Sequence, residues 1–315
     1  MKRLLRSVIS GAAYGLGALA ALRLLRRLLG RPGRIFILMY HRVHEGGDGY
    51  PLTPAVHPRR FARHMSHLRR RGLIISLDEV ADHVAGKRPW PRQDRVVVTF
   101  DDGYRDNFDH AFPILRRHRI PATIFLTTGF IAAGEPLWWD RLTRALAAYA
   151  ESECCPDLVE GMPESLAARL RAYRRQGGGE EAAEALVEDF KALANDVKQD
   201  VLQSMERKLG PALQHAPPTP AGLTWSQIRT MHAEGVDFGG HTRTHPILTR
   251  VPAEQARAEV TDCKGEIEAR LAAPVRHFAY PNGRAEDFNA AVVGYVRQAG
   301  YRTACSTEVG ANRQG

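Results

Sequence analysis

A run of β-branched and aromatic residues at 96–100 leads directly into Asp101-Asp102-Gly103. Such a run is typical of a buried strand, and the two carboxylates then emerge at its C-terminal end. A weaker strand pattern at 236–240 delivers His241 and His245 in the same way. Two imidazoles and one carboxylate leave part of a metal shell open for water, so the sequence indicates a site suited to metal-assisted hydrolysis.

Strand and helix patterns alternate along the rest of the chain, which favours a parallel barrel. Functional groups in such barrels gather at the C-terminal ends of the strands, where both patterns above fall. Thr224-Trp225-Ser226-Gln227 is a capping box for a helix that runs to 234. We predict strands at 35–40, 73–76, 96–100, 122–126, 236–240, 277–280 and 303–306, and helices at 58–71, 77–85, 107–118, 224–234, 252–271 and 289–299.

Residues 140–213 interrupt this alternation. They are rich in Ala, Leu, Glu and Arg, they contain no convincing strand, and the run 217–220 with three prolines ends them. We interpret this stretch, about 140–215, as a helical insertion into the barrel.

The net charge of +9 is unevenly distributed. Residues 1–34 hold eight basic and no acidic residues, whereas the remainder holds 36 basic and 35 acidic residues. The high isoelectric point therefore describes the N-terminus, and the body shows no nucleic-acid-binding motif. Nucleic acid is accordingly not an expected partner.

Sixteen uncharged residues, 7–22, lie between basic flanks in this N-terminal segment. That length is short of the roughly 20 apolar residues of a spanning helix, but it suits a helix on an anionic membrane surface. A cleaved signal peptide, with Ala18-Leu19-Ala20 as the cleavage site, and an amphipathic helix packed on the domain are alternatives. The four cysteines, Cys154, Cys155, Cys263 and Cys305, form no Cys-x-x-Cys pair and indicate no disulfide framework.

The chain resembles the polysaccharide deacetylases with a NodB homology domain (carbohydrate esterase family four). The resemblance rests on 99–103 (TFDDG), on 241–246 (HTRTHP), and on 278–283 (FAYPNG), a variant of the family's third motif. The segment 38–43 (LMYHRV) is similar to the opening strand of the branch that acts on bacterial exopolysaccharides. The resemblance implies a distorted, incomplete (β/α) barrel of the glycoside hydrolase/deacetylase type at 35–315, with the homology core at about 95–315.

The family also implies roles for individual residues. Asp102, His241 and His245 would bind a divalent metal ion, for which zinc fits the nitrogen and oxygen ligands, as other first-row ions do. Asp101 would be the general base that takes a proton from the water attacking an N-acetyl carbonyl. Thr242 would support the histidines. Tyr280, Pro281, Asn282 and Gly283 would surround the backbone donor to the oxyanion.

Two departures from the family pattern concern catalysis. Many members place an arginine in the third motif to hold the base, but here Arg276 and Arg284 flank that motif without aligning. The family's late Leu-x-His segment supplies the acid for the leaving amine, yet no histidine follows His277. The ending at Gly315 is typical of a loop that leads to another strand, as expected of a fragment. His41 is a substitute acid or a hydrogen-bonding group behind the metal ligands.

Tyr104, Trp138 and Trp139 are candidates for stacking on sugar rings. Core packing is the alternative for the two tryptophans. The expected activity is removal of N-acetyl groups from a polysaccharide of the bacterial cell envelope, by a membrane-associated protein. A cleaved signal or a place on the cytoplasmic face remains open. Deacetylation of a small glycan and a catalytically silent, polysaccharide-binding protein are the competing hypotheses.

Overall fold

A computed structural model describes residues 31–47, 49–50, 52–132, 134–151, 158 and 162–314. Within these residues six parallel strands form one sheet whose order follows the chain. This arrangement confirms the predicted α/β fold with a parallel, barrel-like sheet. The strands are β1 (Ile35–Tyr40), β2 (Arg95–Phe100), β3 (Ala122–Leu126), β4 (Asp237–Gly240), β5 (His277–Ala279) and β6 (Thr303–Cys305).

Helices connect the strands and cover the sheet. A π-helix lies at Asn107–Ala111, and short 3-10 helices lie at Gly210–Gln214 and Leu248–Arg250. The α-helices are α1 (Pro58–Arg70), α2 (Leu77–Val84), α3 (Phe112–His118), α4 (Thr128–Ala132), α5 (Trp138–Glu151), α6 (Glu164–Arg175), α7 (Glu180–Ala192), α8 (Asn195–Leu209), α9 (Trp225–Ala233), α10 (Ala253–Leu271) and α11 (Ala290–Gln298). The predicted capping box is present, since Thr224 accepts from the Gln227 amide.

The sheet is incomplete because its two outer strands do not pair directly with each other. β1 and β6 form the edges, and Asn312 exchanges two backbone hydrogen bonds with Ile35 on the outer side of β1. A cavity of about 550 Å³ lies between the two edges and reaches Asp101. The barrel therefore has an open seam beside the residues that end β2.

One predicted strand, Leu73–Ser76, is wrong. Ile74 makes only an isolated bridge to Val96, and Ser76 instead caps α2. The Ser76 hydroxyl accepts from the Glu79 amide while the Glu79 carboxylate accepts from the Ser76 amide. This reciprocal cap satisfies backbone N–H groups at the start of α2. Because Ser76 takes part in the cap, the extended segment ends before it.

Four of the helices between β3 and β4, α5 to α8, share a hydrophobic cluster of their own. Buried Asp140 at the start of α5 joins them to the barrel, because it accepts hydrogen bonds from Tyr104 and Thr53. The proposed limits of this insertion and of the domains stay predictions. The basic segment 1–30 and Cys154 and Cys155 lie outside the described residues. No helix in the described part of the chain is both long and apolar enough to cross a bilayer.

Candidate metal and catalytic site

The loops that follow β2 and β4 meet above the end of β3, which lies between them. The Thr127 amide donates to the Asp102 carbonyl (3.3 Å), and the His241 amide donates to the Leu126 carbonyl (2.9 Å). These bonds extend the sheet by one residue on each side. The carboxylate that ends one strand and the imidazoles that follow the other are thereby brought together.

Asp102, His241 and His245 form a compact, buried group of potential metal ligands. The two histidine Nε2 atoms are 3.1 Å apart, and Asp102 Oδ1 lies 3.7 Å from His241 Nε2 and 3.5 Å from His245 Nε2. Ligands at about 2.0–2.2 Å from a tetrahedral zinc would be separated by about 3.3–3.6 Å. The spacing therefore fits a single small cation between the three side chains.

The hydrogen bonding of these side chains also fits a cation. Both carboxylate oxygens of Asp102 are buried without a hydrogen-bond partner. His241 Nδ1 lies 2.8 Å from the Ala279 carbonyl, so it carries the proton and leaves the Nε2 lone pair facing the group. Because buried polar groups are ordinarily satisfied, the unpartnered carboxylate is best explained by a cation that it binds.

Burial controls the protonation of the same three residues. It raises the pKa of Asp102 well above its usual range, and neighbouring Asp101 and Asp140 add to the effect. Burial also lowers the pKa of His241 to about 4 and that of His245 well below its usual range. Neutral imidazoles are the form that binds metal, whereas a cation would hold Asp102 in its charged form.

The three sequence motifs hold unusual backbone conformations. Asp102, Thr242, His245 and Asn282 all have positive φ angles, between 58° and 74°. A non-glycine residue in this region is uncommon and costs free energy, so surrounding contacts must hold it there. Their concentration at one end of the sheet marks this end as the functional one.

Thr242 and Glu259 hold the histidine loop in place. The Thr242 hydroxyl donates to the His241 carbonyl and accepts from the His245 amide (3.0 Å), so it links the two histidines. Buried Glu259, on α10, accepts from the amides of Arg243 and Thr244 and from the Thr244 hydroxyl. The resemblance suggested Thr242, whereas sequence reasoning missed Glu259, whose only signal is a carboxylate in the helix that follows the motif.

Asp101 lies beside the triad but is not part of it. It is 5% exposed, and no described residue donates a hydrogen bond to its carboxylate. Burial raises its pKa to about 7. A carboxylate that has no ionic partner and whose pKa lies close to 7 is suited to accept a proton at physiological pH.

Neither flanking arginine reaches Asp101. Arg276 pairs with Asp78 (3.4 Å) at the opposite end of the strands, and Arg284 pairs with Glu188 (2.9 Å) on α7. The Asp101 carboxylate thus lacks the guanidinium partner that would lower its pKa. Burial therefore raises the pKa of Asp101 without an opposing effect from either arginine.

A cavity of about 320 Å³ opens above the triad. His41, Asn282 and Lys191 reach it from β1, the third motif and α7, and Trp138 and Trp139 form part of its wall. The Trp139 ring lies edge-on to His245, with ring centres 4.6 Å apart. Tyr104 is fully buried and donates to Asp140, so its ring does not face the cavity where a sugar could stack on it.

Two lysines at this end come from the helical insertion and were not foreseen. Lys191 lines the cavity, and buried Lys198 lies 4.6 Å from the centre of the Trp138 ring. Burial lowers the pKa of Lys198 to about 8, and Arg250 contributes to the shift. Their sequence context is an ordinary amphipathic helix, so only the docking of α7 and α8 shows that they are near the site.

The fold is shared with several solved proteins. The deacetylase PplD of Streptococcus pyogenes, solved in complex with acetate, superposes with a TM-score of 0.56 at 20% identity, over 90% of this chain and 87% of that one. IcaB from Ammonifex degensii gives 0.51 at 18% identity, covering 86% and 82% of the two chains. A de-N-acetylase from Aggregatibacter actinomycetemcomitans gives 0.52 at 16%, covering 89% and 90%. At such identities the likeness establishes the fold alone.

Sequence comparison assigns the family. YxkH of Bacillus subtilis (strain 168), whose name places it with the polysaccharide deacetylases, is 32% identical over 96 residues. That match spans 30% of this chain and only 33% of YxkH. The profile of the family described as polysaccharide deacetylase matches residues 89–163 and 185–304, more than half of the chain, including all three motifs. The chain therefore belongs to the polysaccharide deacetylase family.

Proposed function

We propose that this chain is a metal-dependent hydrolase that removes N-acetyl groups from a polysaccharide. The observation that carries the proposal is the convergence of the unpartnered Asp102 carboxylate with His241 and His245, next to an unpaired Asp101. A divalent ion held by such a group supplies Lewis acidity, which polarises a carbonyl and lowers the pKa of water. Zinc suits the two nitrogens and one oxygen that are offered.

Residues of the chain supply the proton acceptor, the donor to the oxyanion and the surface that contacts the sugar. Asp101 accepts the proton of the water that attacks the acetyl carbonyl. Within the third motif, the Tyr280 amide donates to Cys305 and the Gly283 amide to Pro281, while Pro281 has no N–H. The Asn282 amide is thus the donor that remains for the oxyanion. Trp138 and Trp139 offer apolar surface to a sugar ring at the wall of the cavity.

Acetate release from N-acetylated glycans tests this function. The chelator-stripped protein should release acetate only after a divalent metal is added. A panel that contains a polymer, a short oligosaccharide and a monosaccharide derivative would separate polysaccharide from small-glycan substrates. Metal binding without acetate release from any of them would contradict the proposed hydrolysis.

The leaving amine needs a proton, and no histidine among the described residues is suited to donate it. Around the cavity, His41 is the one imidazole outside the triad among the residues that the structure describes. Burial and nearby Lys191 lower the pKa of His41 to about 4, so the ring is neutral near pH 7 and has no proton to spare. General acid catalysis is typically worth about 100- to 10,000-fold.

We therefore expect the 315-residue chain to be slow on N-acetyl sugars but relatively fast on aryl acetates. The aryl oxide is a better leaving group and depends less on protonation. The ratio of ester to amide kcat/KM measures the effect, and it should fall if a histidine-bearing C-terminal segment is added. Rapid amide cleavage that is unchanged in His41→Ala would contradict this account and would require another acid.

The lack of a suitable histidine donor among the described residues favours a second function, that of a polysaccharide-binding protein with little catalysis. The metal group and the aromatic wall would then serve recognition, and slow protonation of the leaving amine would limit turnover. Glycan binding that survives Asp101→Asn, together with undetectable acetate release by the wild-type chain, would identify this case.

We also propose that residues 1–34 attach the protein to an anionic membrane surface of the bacterial cell envelope. Support comes from the eight basic residues and the uncharged stretch at 7–22. Deleting residues 1–32 should release the protein from membranes and leave its metal affinity unchanged, as measured by fractionation and zinc titration. High salt should weaken a surface attachment. Release by detergent alone would instead indicate insertion across the bilayer.

A further inference from the structure

A second group of metal-type side chains lies at the opposite end of the sheet. His277 and Asp237 are the first residues of β5 and β4, and Asp78 lies in the first turn of α2. One potential ligand atom from each lies within 4.8 Å of the others. Since parallel strands all begin at the same end of a sheet, the length of the strands separates this group from the catalytic one.

His277 is fully buried, and its Nε2 atom has no hydrogen-bond partner of good geometry. That atom lies 3.3 Å from Asp78 Oδ1 and 3.6 Å from Asp237 Oδ2. On the other side of the ring, Nδ1 is 2.8 Å from the Thr303 hydroxyl. When Nδ1–H donates to Thr303, the Nε2 lone pair faces two carboxylate oxygens. That arrangement is repulsive unless a cation lies between them.

The arrangement is similar to the one at the catalytic end, except that a hydroxyl faces Nδ1 here and a carbonyl oxygen faces it there. There, His241 Nδ1 is held by a carbonyl oxygen and its Nε2 points toward Asp102, 3.7 Å away. The separations of 3.3 and 3.6 Å around His277 match the roughly 3.3–3.6 Å expected between ligands of a tetrahedral zinc. Burial lowers the pKa of His277 to about 4, which favours the neutral ring that a metal requires.

The surroundings of the group are compatible with a divalent ion. Arg302 binds Asp78 Oδ1 at 2.9 Å, but a carboxylate oxygen has a second lone pair for a metal. The ion pairs around His277 join three carboxylates, Asp78, Glu79 and Asp82, to three guanidiniums, Arg88, Arg276 and Arg302. The Asp237 carboxylate pairs with His277 and has no guanidinium partner within 4.0 Å among the described residues, so its negative charge is open to a cation. A cavity of about 230 Å³, lined by Asp78, Asp237 and His232, gives solvent access and room for a water ligand.

From this geometry we propose that Asp78, Asp237 and His277 form a second divalent-metal site, with zinc as the fitting ion. The bound ion joins the start of α2 to the starts of β4 and β5, and Thr303 orients the imidazole from β6. Because the three ligands come from distant parts of the chain, a bound ion stabilises the folded state over the unfolded one. The site is structural, since it lies at the end of the strands away from Asp101.

Zinc counting on the 315-residue chain tests the proposal. The chelator-stripped protein is titrated with zinc chloride, freed of excess zinc by gel filtration, and analysed by atomic absorption. We expect the wild type to retain two equivalents, and His241→Ala and Asp237→Asn to retain one each. The double variant His241→Ala/Asp237→Asn should retain none. Asp109→Asn, an exposed carboxylate paired with Arg105, is the matched control and should retain two.

Thermal unfolding provides a second measurement that does not depend on activity. Zinc should raise the Tm of His241→Ala, in which only the second site remains, and should leave the Tm of the double variant unchanged. His277→Gln should behave like Asp237→Asn, and circular dichroism confirms that each variant is folded. A wild type that retains a single equivalent, lost in His241→Ala, would overturn the second site and leave the proposed function standing. A second equivalent that persists in both Asp237→Asn and His277→Gln would also overturn it.

Discussion

Replacing Asp101 with asparagine is expected to lower kcat for deacetylation by about 100- to 10,000-fold, the usual contribution of a general base. The substitution removes a proton acceptor but no ligand, so zinc content should stay at the wild-type level. The asparagine side chain would occupy nearly the same volume, and the Asp101 carboxylate accepts no hydrogen bond from a described residue that the change could break. Initial rates of acetate release, together with metal analysis of the same samples, measure both quantities.

Asp109→Asn is the control for this experiment, because Asp109 is exposed and pairs with neighbouring Arg105. It should leave the rate and the metal content unchanged. If Asp101→Asn lost its metal while Asp102→Asn kept it, the roles assigned to the two adjacent carboxylates would be reversed.

The pH profile should report the same group. The ionised form of Asp101 is the base, so kcat/KM should rise with pH and level off once the carboxyl has lost its proton. Burial sets that pKa at about 7 in the metal-free protein. A cation in the neighbouring site favours the charged form of Asp101, so the rise in kcat/KM should be centred at or below pH 7 in the metal-loaded protein. Loss of this rise in the Asp101→Asn variant would show that it comes from the ionisation of Asp101.

The second large effect concerns the metal group itself. His245→Ala and His241→Ala should each reduce zinc affinity at the catalytic site by more than about 100-fold, because even outer-shell partners of a metal are worth about 10- to 100-fold. Each change removes one of three protein ligands and opens a buried space beside Asp102. Competition with a chromophoric chelator measures the affinity, and acetate release should fall with occupancy.

A graded series strengthens this test. Thr242→Val retains the shape of the side chain but loses the hydroxyl that bonds to the His241 carbonyl and the His245 amide. It should cost about 10- to 100-fold in affinity, as expected of an outer-shell group. Exposed His110 is the control, and His110→Ala should bind zinc like the wild type. Unchanged affinity in His245→Ala would show that the triad is not the binding site.

Local patterns predicted most of the fold. β1 and β3 have the predicted limits, and the helices and other strands, apart from 73–76, agree within a few residues. These elements are determined by side-chain periodicity and by caps such as Thr224, which act over a few residues. The strand predicted at 73–76 failed because Ser76 and Glu79 form a competing cap, which alternation alone does not reveal.

Sequence patterns alone were enough to place Asp101 and His241 at the C-terminal ends of parallel strands, because each directly follows a strand pattern, and Asp102 and His245 come shortly after them. Tertiary structure decided what surrounds them. In the folded chain Arg276 and Arg284 pair with other carboxylates and do not contact Asp101. Lys191 lines the cavity, and Tyr104 is buried. The tertiary structure also assembled Asp78, Asp237 and His277 at the other end of the sheet. Such contacts join residues far apart in the chain, so they depend on how the helices dock, which no local pattern encodes.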